Sequence, residues 1–337
     1  MKKLFLLMTT ALVALTPTVA EAQSAKVLKY THYQPGREDQ PKHAAALAFE
    51  TCVEGATSNS IDVEIYPAGQ LGNATSALEA LKLGSLEMAV VHDGGISSVY
   101  PNFDVFALPY LFKDHETAYE VLDGDFGKSF ADSMVADTGI RLLAFADNGI
   151  RHFTNSKQPI KSPADMAGLK MRVQPAPAFI ALTESLGSSA SAIDWGELPA
   201  ALAQGTVDGQ ENGVTNIMAA SLYQSQKYAT LDGHVYSLHA YLISDAFYQG
   251  LTDEERSAVD TCVVEARDIH REMTRAQDLS AEQVLTENGM EVYVPTAEEI
   301  DAFRQLAQPA VRTYLEGAVG AELVQQLVDA VAAADAN

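Results

Sequence analysis

Hydrophobic and polar positions in the first part of the chain follow a strand, helix, strand, helix, strand order. Residues 61–66 alternate apolar with acidic or polar side chains, which is typical of a half-buried strand. Residues 26–33 and 86–91 predict the other two strands, and residues 41–54 and 73–83 predict the two helices. This order predicts a parallel sheet covered by helices, and ligands of such sheets bind beyond the carboxyl ends of the strands.

The pattern continues with a second set of strands and helices and then returns to the first. Further strands are predicted at residues 140–145, 151–154, 170–173, 207–212, 236–243 and 290–294. Further helices are predicted at residues 115–134, 163–166, 178–186, 196–202, 252–287, 296–315 and 321–333. The helix at 252–287 would be roughly 50 Å long at about 1.5 Å per residue. Pro309 is expected to break or kink the helix that contains it.

The 337 residues exceed the size of most single cores, and the order of elements predicts an α/β protein with two lobes. Lobe I is predicted to contain residues 23–148 and about 238–277, and lobe II residues 149–237 and about 278–337. Each lobe would hold a mixed sheet, with crossing strands as a hinge and the long helix spanning both lobes. A cleft between two hinged lobes is where a ligand is expected to bind.

Residues 1–22 have the composition of a secretory signal peptide. Lys2 and Lys3 precede a mostly apolar run at residues 4–15, and residues 20–22 form a small-residue cleavage site. Cleavage there would remove two lysines and one glutamate, which changes the net charge from −23 to −24. We therefore expect the mature chain in the periplasm of a Gram-negative cell. Such acidity argues against nucleic acid or an anionic membrane as a partner, but not against a small anionic ligand.

Cys52 and Cys262 are the two cysteines of the chain, and both follow the predicted signal peptide. An oxidising compartment favours one disulfide between them. Such a bond would join an early helix to a helix about two hundred residues later. The alternative is two separate buried thiols, and both interpretations stay open at this point.

Two arginines lie in local settings that suit ligand binding. Arg172 lies in a predicted strand whose apolar residues alternate with cations, and a proline-rich loop follows it. Arg151 begins another predicted strand. A guanidinium presents its donors in a planar fork that matches a carboxylate, and it stays charged at any relevant pH. Asn212 can add an amide donor, and Trp195 can cover an apolar face of the ligand. The alternatives are arginines paired with a nearby Asp or Glu, a core tryptophan and an asparagine that shapes a turn.

Signatures of common enzyme classes are missing from the sequence. There is no His-Glu-x-x-His, Gly-x-Ser-x-Gly or Walker motif. The eight histidines show no pair at metal-ligand spacing on a predicted helix, so neither a metal site nor a cofactor is predicted. A binding function without catalysis uses more of the residues that are present.

Five short segments stand out by their residue types and their order along the chain: YPAGQLG at 66–72, FALPY at 106–110, NGIR at 148–151, GLKMRV at 168–173 and VDGQEN at 207–212. They resemble the DctP family, the periplasmic solute receptors of tripartite ATP-independent periplasmic (TRAP) transporters. The resemblance implies two lobes that close on an organic anion, with Arg172 at the position of the arginine that binds the carboxylate. It implies assisting roles for Arg151 and Asn212, and Trp195 is similar to an aromatic residue that some members place over the ligand. Gly213 departs from the family, which often has proline there.

Positions that vary within the family choose the ligand, and Gln40, His92 and His239 are expected to be such positions. The resemblance implies a non-enzymatic, monomeric receptor that captures a small sugar acid, keto acid or dicarboxylate and delivers it to a TRAP permease. Two rival interpretations stay open. One is a periplasmic enzyme that acts on a small organic acid, and the other is a ligand-sensing subunit of another membrane system.

Overall fold

The computed structural model describes residues 25–336, so the predicted signal peptide lies outside the described residues. The strands are β1 (Lys26–Thr31), β2 (Ile61–Tyr66), β3 (Met88–His92), β4 (Ile140–Asn155), β5 (Lys170–Val173), β6 (Ser189–Ala192), β7 (Gly209–Gly213), β8 (Tyr228–Ser244) and β9 (Glu291–Tyr293). The helices are α1 (Pro41–Ala56), α2 (Ala74–Leu83), α3 (Asp93–Ile96), α4 (His115–Asp123), α5 (Asp125–Thr138), α6 (Pro177–Ser185), α7 (Leu198–Ala203), α8 (Val214–Ala219), α9 (Asp245–Gln249), α10 (Asp253–Leu279), α11 (Ala281–Glu287), α12 (Ala297–Leu315) and α13 (Ala321–Asp335).

The strands of the described residues form one continuous mixed sheet in the order β2-β1-β3-β8-β4-β7-β5-β6, with β9 paired to β8. Strands β1, β2 and β3 are parallel and form lobe I with α1 and α2. Strands β5, β6 and β7 are parallel and form lobe II with α6, α7 and α8. The predicted α/β, two-lobed fold with mixed strands is confirmed, and the structure adds that the two lobes share a single sheet.

Strands β4 and β8 pair antiparallel along nearly their whole length and connect the lobes. The predicted division of β4 into two strands at 140–145 and 151–154 is wrong. Polar residues between these segments are typical of a loop, but Asp147 and Asn148 are buried within the strand. A register shift between Asp147 and Gly149 accommodates them, and Gly149 takes a φ of 99° that favours glycine.

Two predicted helices are each divided in the structure. The helix expected at 115–134 becomes α4 and α5, because Gly124 between them has an extended backbone with ψ at −163°. The helix expected at 252–287 becomes α10 and α11, with Ser280 outside helical geometry. Helix α10 still packs against both lobes, since it contacts α1, β4 and α8. The predicted span across both lobes is therefore confirmed for the 27 residues of α10.

Pro309 does not break helix α12, which continues through it to Leu315. Pro309 and Gln305 are both exposed, so the carbonyl of Gln305 that loses its helical donor faces water. Helix α13, which is predicted to belong to lobe II, packs against α4, which is predicted to belong to lobe I. Asp335 of α13 accepts a hydrogen bond from Thr117 of α4 at 3.2 Å. The lobe boundaries stay predictions.

A disulfide joins Cys52 of α1 to Cys262 of α10, with a Cα–Cα distance of 5.6 Å. The two helices pack against each other over an apolar core that includes Phe49, Val53 and Val259. Of the two interpretations left open by the sequence, the disulfide is the one that the structure contains. The bond closes a loop of 210 residues and fastens the long helix to lobe I.

Replacing both cysteines by serine, Cys52→Ser with Cys262→Ser, should lower the free energy of unfolding by about 2–5 kcal/mol, because the unfolded chain regains the freedom that the long loop loses. Urea unfolding of the two proteins measures the difference. Reductant should destabilise the wild type and leave the double variant unchanged. Equal unfolding midpoints for oxidised and reduced wild type would contradict the pairing.

Candidate ligand-binding cavity

A cavity lies between the two lobes where strands from both converge, and it comprises about 310 Å³ of space between atoms, including the part open to solvent. Six of the seven residues predicted from the sequence line it: Arg172, Arg151, Asn212, Trp195, His92 and His239. The lining also includes five residues that the sequence did not single out: Tyr33, Lys42, Asn148, Gln174 and Asn216. Its lining combines two aromatic side chains with arginine, lysine, asparagine, glutamine and histidine side chains that can hydrogen-bond a polar ligand.

Arg172 is buried in β5, and its side chain lies on the face opposite to Met171 and Val173, as the alternation predicts. Its Nε donates to the carbonyl oxygen of Ile193 at 2.8 Å. Within residues 25–336 its two terminal nitrogens have no hydrogen-bond or ion-pair partner. Burial and the nearby Arg151 outweigh the carboxylates of Glu211 and Asp194 and lower the pKa of Arg172 to about 10, so the guanidinium is charged at neutral pH. Arg172 is therefore a buried cation whose two terminal nitrogens can donate hydrogen bonds to a ligand.

Arg151 of β4 has a different environment, because it forms a buried ion pair with Glu211 of β7. Its Nη2 donates to Glu211 Oε1 at 2.9 Å and to the Glu211 carbonyl oxygen at 2.6 Å. The pairing with an acidic residue, one of the two alternatives for each arginine, therefore applies to Arg151. Its Nη1 lies 3.4 Å from Ser237 Oγ and is the part of the guanidinium with the weakest internal partner.

Glu211 is held on its other side by His234. Their side chains approach to 3.5 Å, and His234 Nδ1 lies 3.0 Å from both carboxylate oxygens of Asp232. Burial lowers the pKa of His234, but Asp232 and Glu211 outweigh it and raise this pKa to about 9. Burial raises the pKa of Glu211, yet Arg151 and His234 hold it below its ordinary value. Asp232, His234, Glu211 and Arg151 thus form a row of alternating negative and positive charges. This row keeps Glu211 ionised and holds the Arg151 side chain in place.

Three asparagines form a chain of amide hydrogen bonds along the cavity wall. Asn216 Nδ2 donates to Asn148 Oδ1 at 2.7 Å and to Asn212 Oδ1 at 2.9 Å. Asn212 Nδ2 donates to Gln210 Oε1 at 3.1 Å, which leaves its second amide hydrogen for a ligand. Asn212 lies next to the arginines because β7 pairs with β4 and β5.

His92 and His239 lie opposite each other on the paired strands β3 and β8. Burial, with the cations Lys42 and Arg172, lowers the pKa of His92 to about 3. Burial and Lys42 also lower the pKa of His239, whose Nδ1 donates to the Asp147 carbonyl oxygen at 3.0 Å. Both rings are therefore neutral, and the Nε2 of His239 is an acceptor. They can bind hydroxyl or amide hydrogens but add no charge.

The lobes touch across the mouth of the cavity through hydrogen bonds. Trp195 of lobe II donates from its indole nitrogen to the Tyr33 carbonyl oxygen at 3.3 Å. Gln174 donates to Asp93 at 2.8 Å. Asn73, which caps α2, donates to Asp194 at 2.9 Å. These three hydrogen bonds join the two sides of the cavity, and Trp195 lies at the junction.

Gln40 is the predicted site residue that does not line the cavity. It precedes α1, where its Nε2 donates to Asp39 Oδ1 at 3.3 Å and its buried Oε1 has no partner among the described residues. The lysine two positions later, Lys42, lines the cavity instead. A lysine in the first turn of a helix is disfavoured by the helix dipole, and this signal was available in the sequence.

Within the described part of the chain, no helix is both long and apolar enough to cross a bilayer. Nor do residues 25–336 contain a group of three or more His, Cys, Asp or Glu side chains placed to hold a metal ion.

Comparison with known proteins decides the family. Residues 32–317 match the profile of the DctP family, described as bacterial extracellular solute-binding protein, family 7. The chain belongs to this family. Members of the DctP family are periplasmic solute-binding proteins of TRAP transporters, which agrees with the resemblance and the location predicted from the sequence.

Individual relatives of this DctP family protein cover almost all of its length. It is 32% identical over 308 residues to the C4-dicarboxylate-binding periplasmic protein DctP of Rhodobacter capsulatus, covering 91% of each chain. The structure of the sugar acid binding protein DctPAm from Advenella mimigardefordensis with galactonate superposes with a TM-score of 0.87 at 29% identity, covering 92% of this chain and 99% of that one. The structure of a TRAP periplasmic solute binding protein from Sulfurospirillum deleyianum with bound succinate superposes with a TM-score of 0.83 at 26% identity. The match covers 90% of this chain and 98% of that one.

In this DctP family protein, Glu211→Gln should lower the free energy of unfolding by about 3–5 kcal/mol, because it leaves Arg151 and His234 buried without their shared carboxylate. Chemical denaturation at pH 7 measures the loss. The matched control is Glu197→Gln, whose exposed side chain should change stability by no more than about 0.5 kcal/mol. A Glu211→Gln protein as stable as the control would show that the ion pair does not hold this wall.

Proposed function

We propose that this protein is a receptor that encloses a small organic carboxylate between its lobes and delivers it to a TRAP permease. The observation that carries the proposal is Arg172, a buried guanidinium that lines the cavity with two terminal nitrogens free of internal partners in residues 25–336. A buried unpaired charge is costly, and a carboxylate is the ligand group whose geometry matches the free fork.

The remainder of the cavity supports a ligand that carries further polar groups. Asn212, Asn148 and Asn216 present amides, and Tyr33 has a buried hydroxyl without a partner among the described residues. Trp195 supplies an aromatic wall at the junction of the lobes. The related proteins named above bind C4-dicarboxylates, galactonate and succinate, all of which are small carboxylates with this mixture of charge and polarity.

Binding is coupled to closure in this proposal. Arg172 and Asn212 belong to lobe II, whereas His92 and Tyr33 belong to lobe I, so a ligand reaches all four only when the lobes are together. The ligand then favours the closed state by contacts that the open state lacks. The protein acts as a monomer without catalysis, and light scattering with and without ligand checks the monomeric state.

A thermal-shift screen of residues 23–337 against sugar acids, keto acids, dicarboxylates and aromatic acids tests the function. A ligand at a hundred times its dissociation constant should add roughly 2.7 kcal/mol of apparent stability. Stabilisation by one class of acid supports the receptor and names the class. The protein is first unfolded, dialysed and refolded to remove any ligand carried through purification. After that step, no shift with any carboxylate would refute the proposal.

Calorimetry with the acid from the screen separates a receptor from an enzyme. One-to-one binding, with the acid recovered unchanged after prolonged incubation, is the expected result. Conversion of the acid would instead favour the periplasmic enzyme.

Arg172→Ala should weaken binding of that acid by about 2–5 kcal/mol, because the ligand carboxylate loses a buried partner. Arg172→Lys should also bind poorly, since a point charge does not reproduce the planar fork. Calorimetry measures both affinities. Arg256→Ala is the matched control, because Arg256 is a surface residue of α10 paired with Asp253 outside the cavity. Wild-type affinity in Arg172→Ala would refute the assignment of the carboxylate to Arg172.

A further inference from the structure

The cavity contains a second cation without an internal counter-ion. Lys42 is the second residue of α1, is 4% exposed and lines the cavity. Its backbone N–H donates to Gln34 Oε1 at 3.0 Å. Among the described residues, no acceptor or carboxylate contacts its ammonium group.

Lys42 lies where a positive charge is unfavourable. Burying an ammonium group without a partner costs free energy, and the amino end of a helix repels cations. The first turn of α1 contains no acidic residue that would offset either effect. An apolar side chain of similar length would fill the same space without these costs, so the position points to an anion that arrives with the ligand.

The surrounding residues do not supply that anion. Four histidines lie close enough to Lys42 for its charge to lower their pKa, as burial also does, and they come from the loop after β1 and from β3, β8 and α10: His32, His92, His239 and His270. Arg151 and Arg172 are cations of the same cavity. Asp93 is the nearby carboxylate whose field favours the charged form of Lys42.

Asp93 is already fully hydrogen-bonded elsewhere. Its Oδ1 accepts from the Gly94 backbone and from Gln174, both at 2.8 Å. Its Oδ2 accepts from Ser237 Oγ at 2.7 Å and from the Leu238 backbone at 3.0 Å. Burial and Arg151 outweigh Asp93 and lower the pKa of Lys42 to about 7.

Lys42 and Arg172 belong to different lobes but line the same cavity. Arg151 differs from Lys42 and Arg172, because it has a direct ion-pair partner in Glu211. A ligand with one acidic group would leave one of these two cations without a direct ion-pair partner. A ligand with an acidic group at each end would compensate both and hold the lobes together.

We propose that Lys42 is a specificity-determining residue that binds a second acidic group of the ligand. The inference rests on the proposed function and narrows its substrate class to small dicarboxylates. Arg172 holds one carboxylate in lobe II, and Lys42 holds the other in lobe I.

The pH dependence follows from the pKa of Lys42. In the empty cavity the amine is largely protonated below pH 7 and largely neutral above it. A bound carboxylate raises its pKa, so binding above pH 7 requires a proton from solution. The affinity should therefore be level between about pH 6 and 7 and should fall by up to about tenfold per pH unit above 7.

The experiment is calorimetry with succinate and glutarate, their monoamides succinamate and glutaramate, and galactonate. Each is titrated at pH 6 and pH 8.5 in two buffers of different ionisation enthalpy, which gives the number of protons taken up. The proteins are the wild type, Lys42→Met, Lys42→Arg and the control Lys82→Met, whose lysine is exposed on α2 and lies outside the cavity.

The wild type and Lys82→Met should bind a dicarboxylate about tenfold or more tightly than its monoamide at pH 6. They should take up close to one proton at pH 8.5 and almost none at pH 6. Lys42→Met should lose both the preference for the dicarboxylate over its monoamide and the proton uptake at pH 8.5. Lys42→Arg should retain the preference without the uptake, because an arginine is charged at both pH values.

Tight binding of galactonate or a monoamide, with an affinity that Lys42→Met leaves unchanged, would overturn this inference and leave the carboxylate receptor intact. A dicarboxylate preference without proton uptake would overturn the proton linkage. Failure of every acid, including those of the wider screen, would overturn both the inference and the proposed function.

Stability of the empty protein separates this role from a structural one. Lys42→Met should raise the melting temperature at pH 6, and the gain should shrink between pH 7 and 10, because the unfolded lysine binds a proton there that the folded one does not. Lys82→Met should show neither effect. If Lys42→Met melts at a lower temperature than the wild type both at pH 6 and at pH 10, Lys42 has a packing role, and the inference is overturned.

Discussion

The pairing of β4 with β8 is the constraint on which the rest of this structure depends. Both strands run through the two lobes, so each lobe adds its own parallel strands to a common antiparallel pair. The cavity lies where these additions meet, with Arg151 contributed by the shared strand itself. The ladder between the two strands is interrupted by register shifts, one of them between Asp147 and Gly149 beside the cavity residue Asn148.

The cavity uses its three cations in three different ways. Arg151 forms an ion pair with Glu211, which Asp232 and His234 in turn support, so most of its donors are bound within the cavity wall. Arg172 is charged and has free donors, which suits a permanent carboxylate site. Lys42 is a group whose charge depends on what enters the cavity. A low-dielectric site amplifies these differences, because each unpaired charge there is poorly screened.

Much of the fold followed from local pattern, and the errors have local causes. The alternation around Arg172 correctly placed its side chain opposite the core, because period two is a property of any strand. Strand β4 was divided because Asp147 and Asn148 are polar, and periodicity does not show that distant partners bury them. The sequence analysis predicts Gln40 and does not single out Lys42, because rough correspondence between sequences does not resolve a shift of two residues at the start of a helix.

The sequence by itself determined the family, the type and position of most strands and helices, and the presence of arginines suited to a carboxylate, because these depend on residue type and short-range spacing. The tertiary structure alone decided which arginine is free. Glu211 is 60 residues from Arg151 along the chain, and only the pairing of β7 with β4 brings them together. Charge compensation depends on distances between elements and on burial, and neither is encoded in the local pattern of either strand.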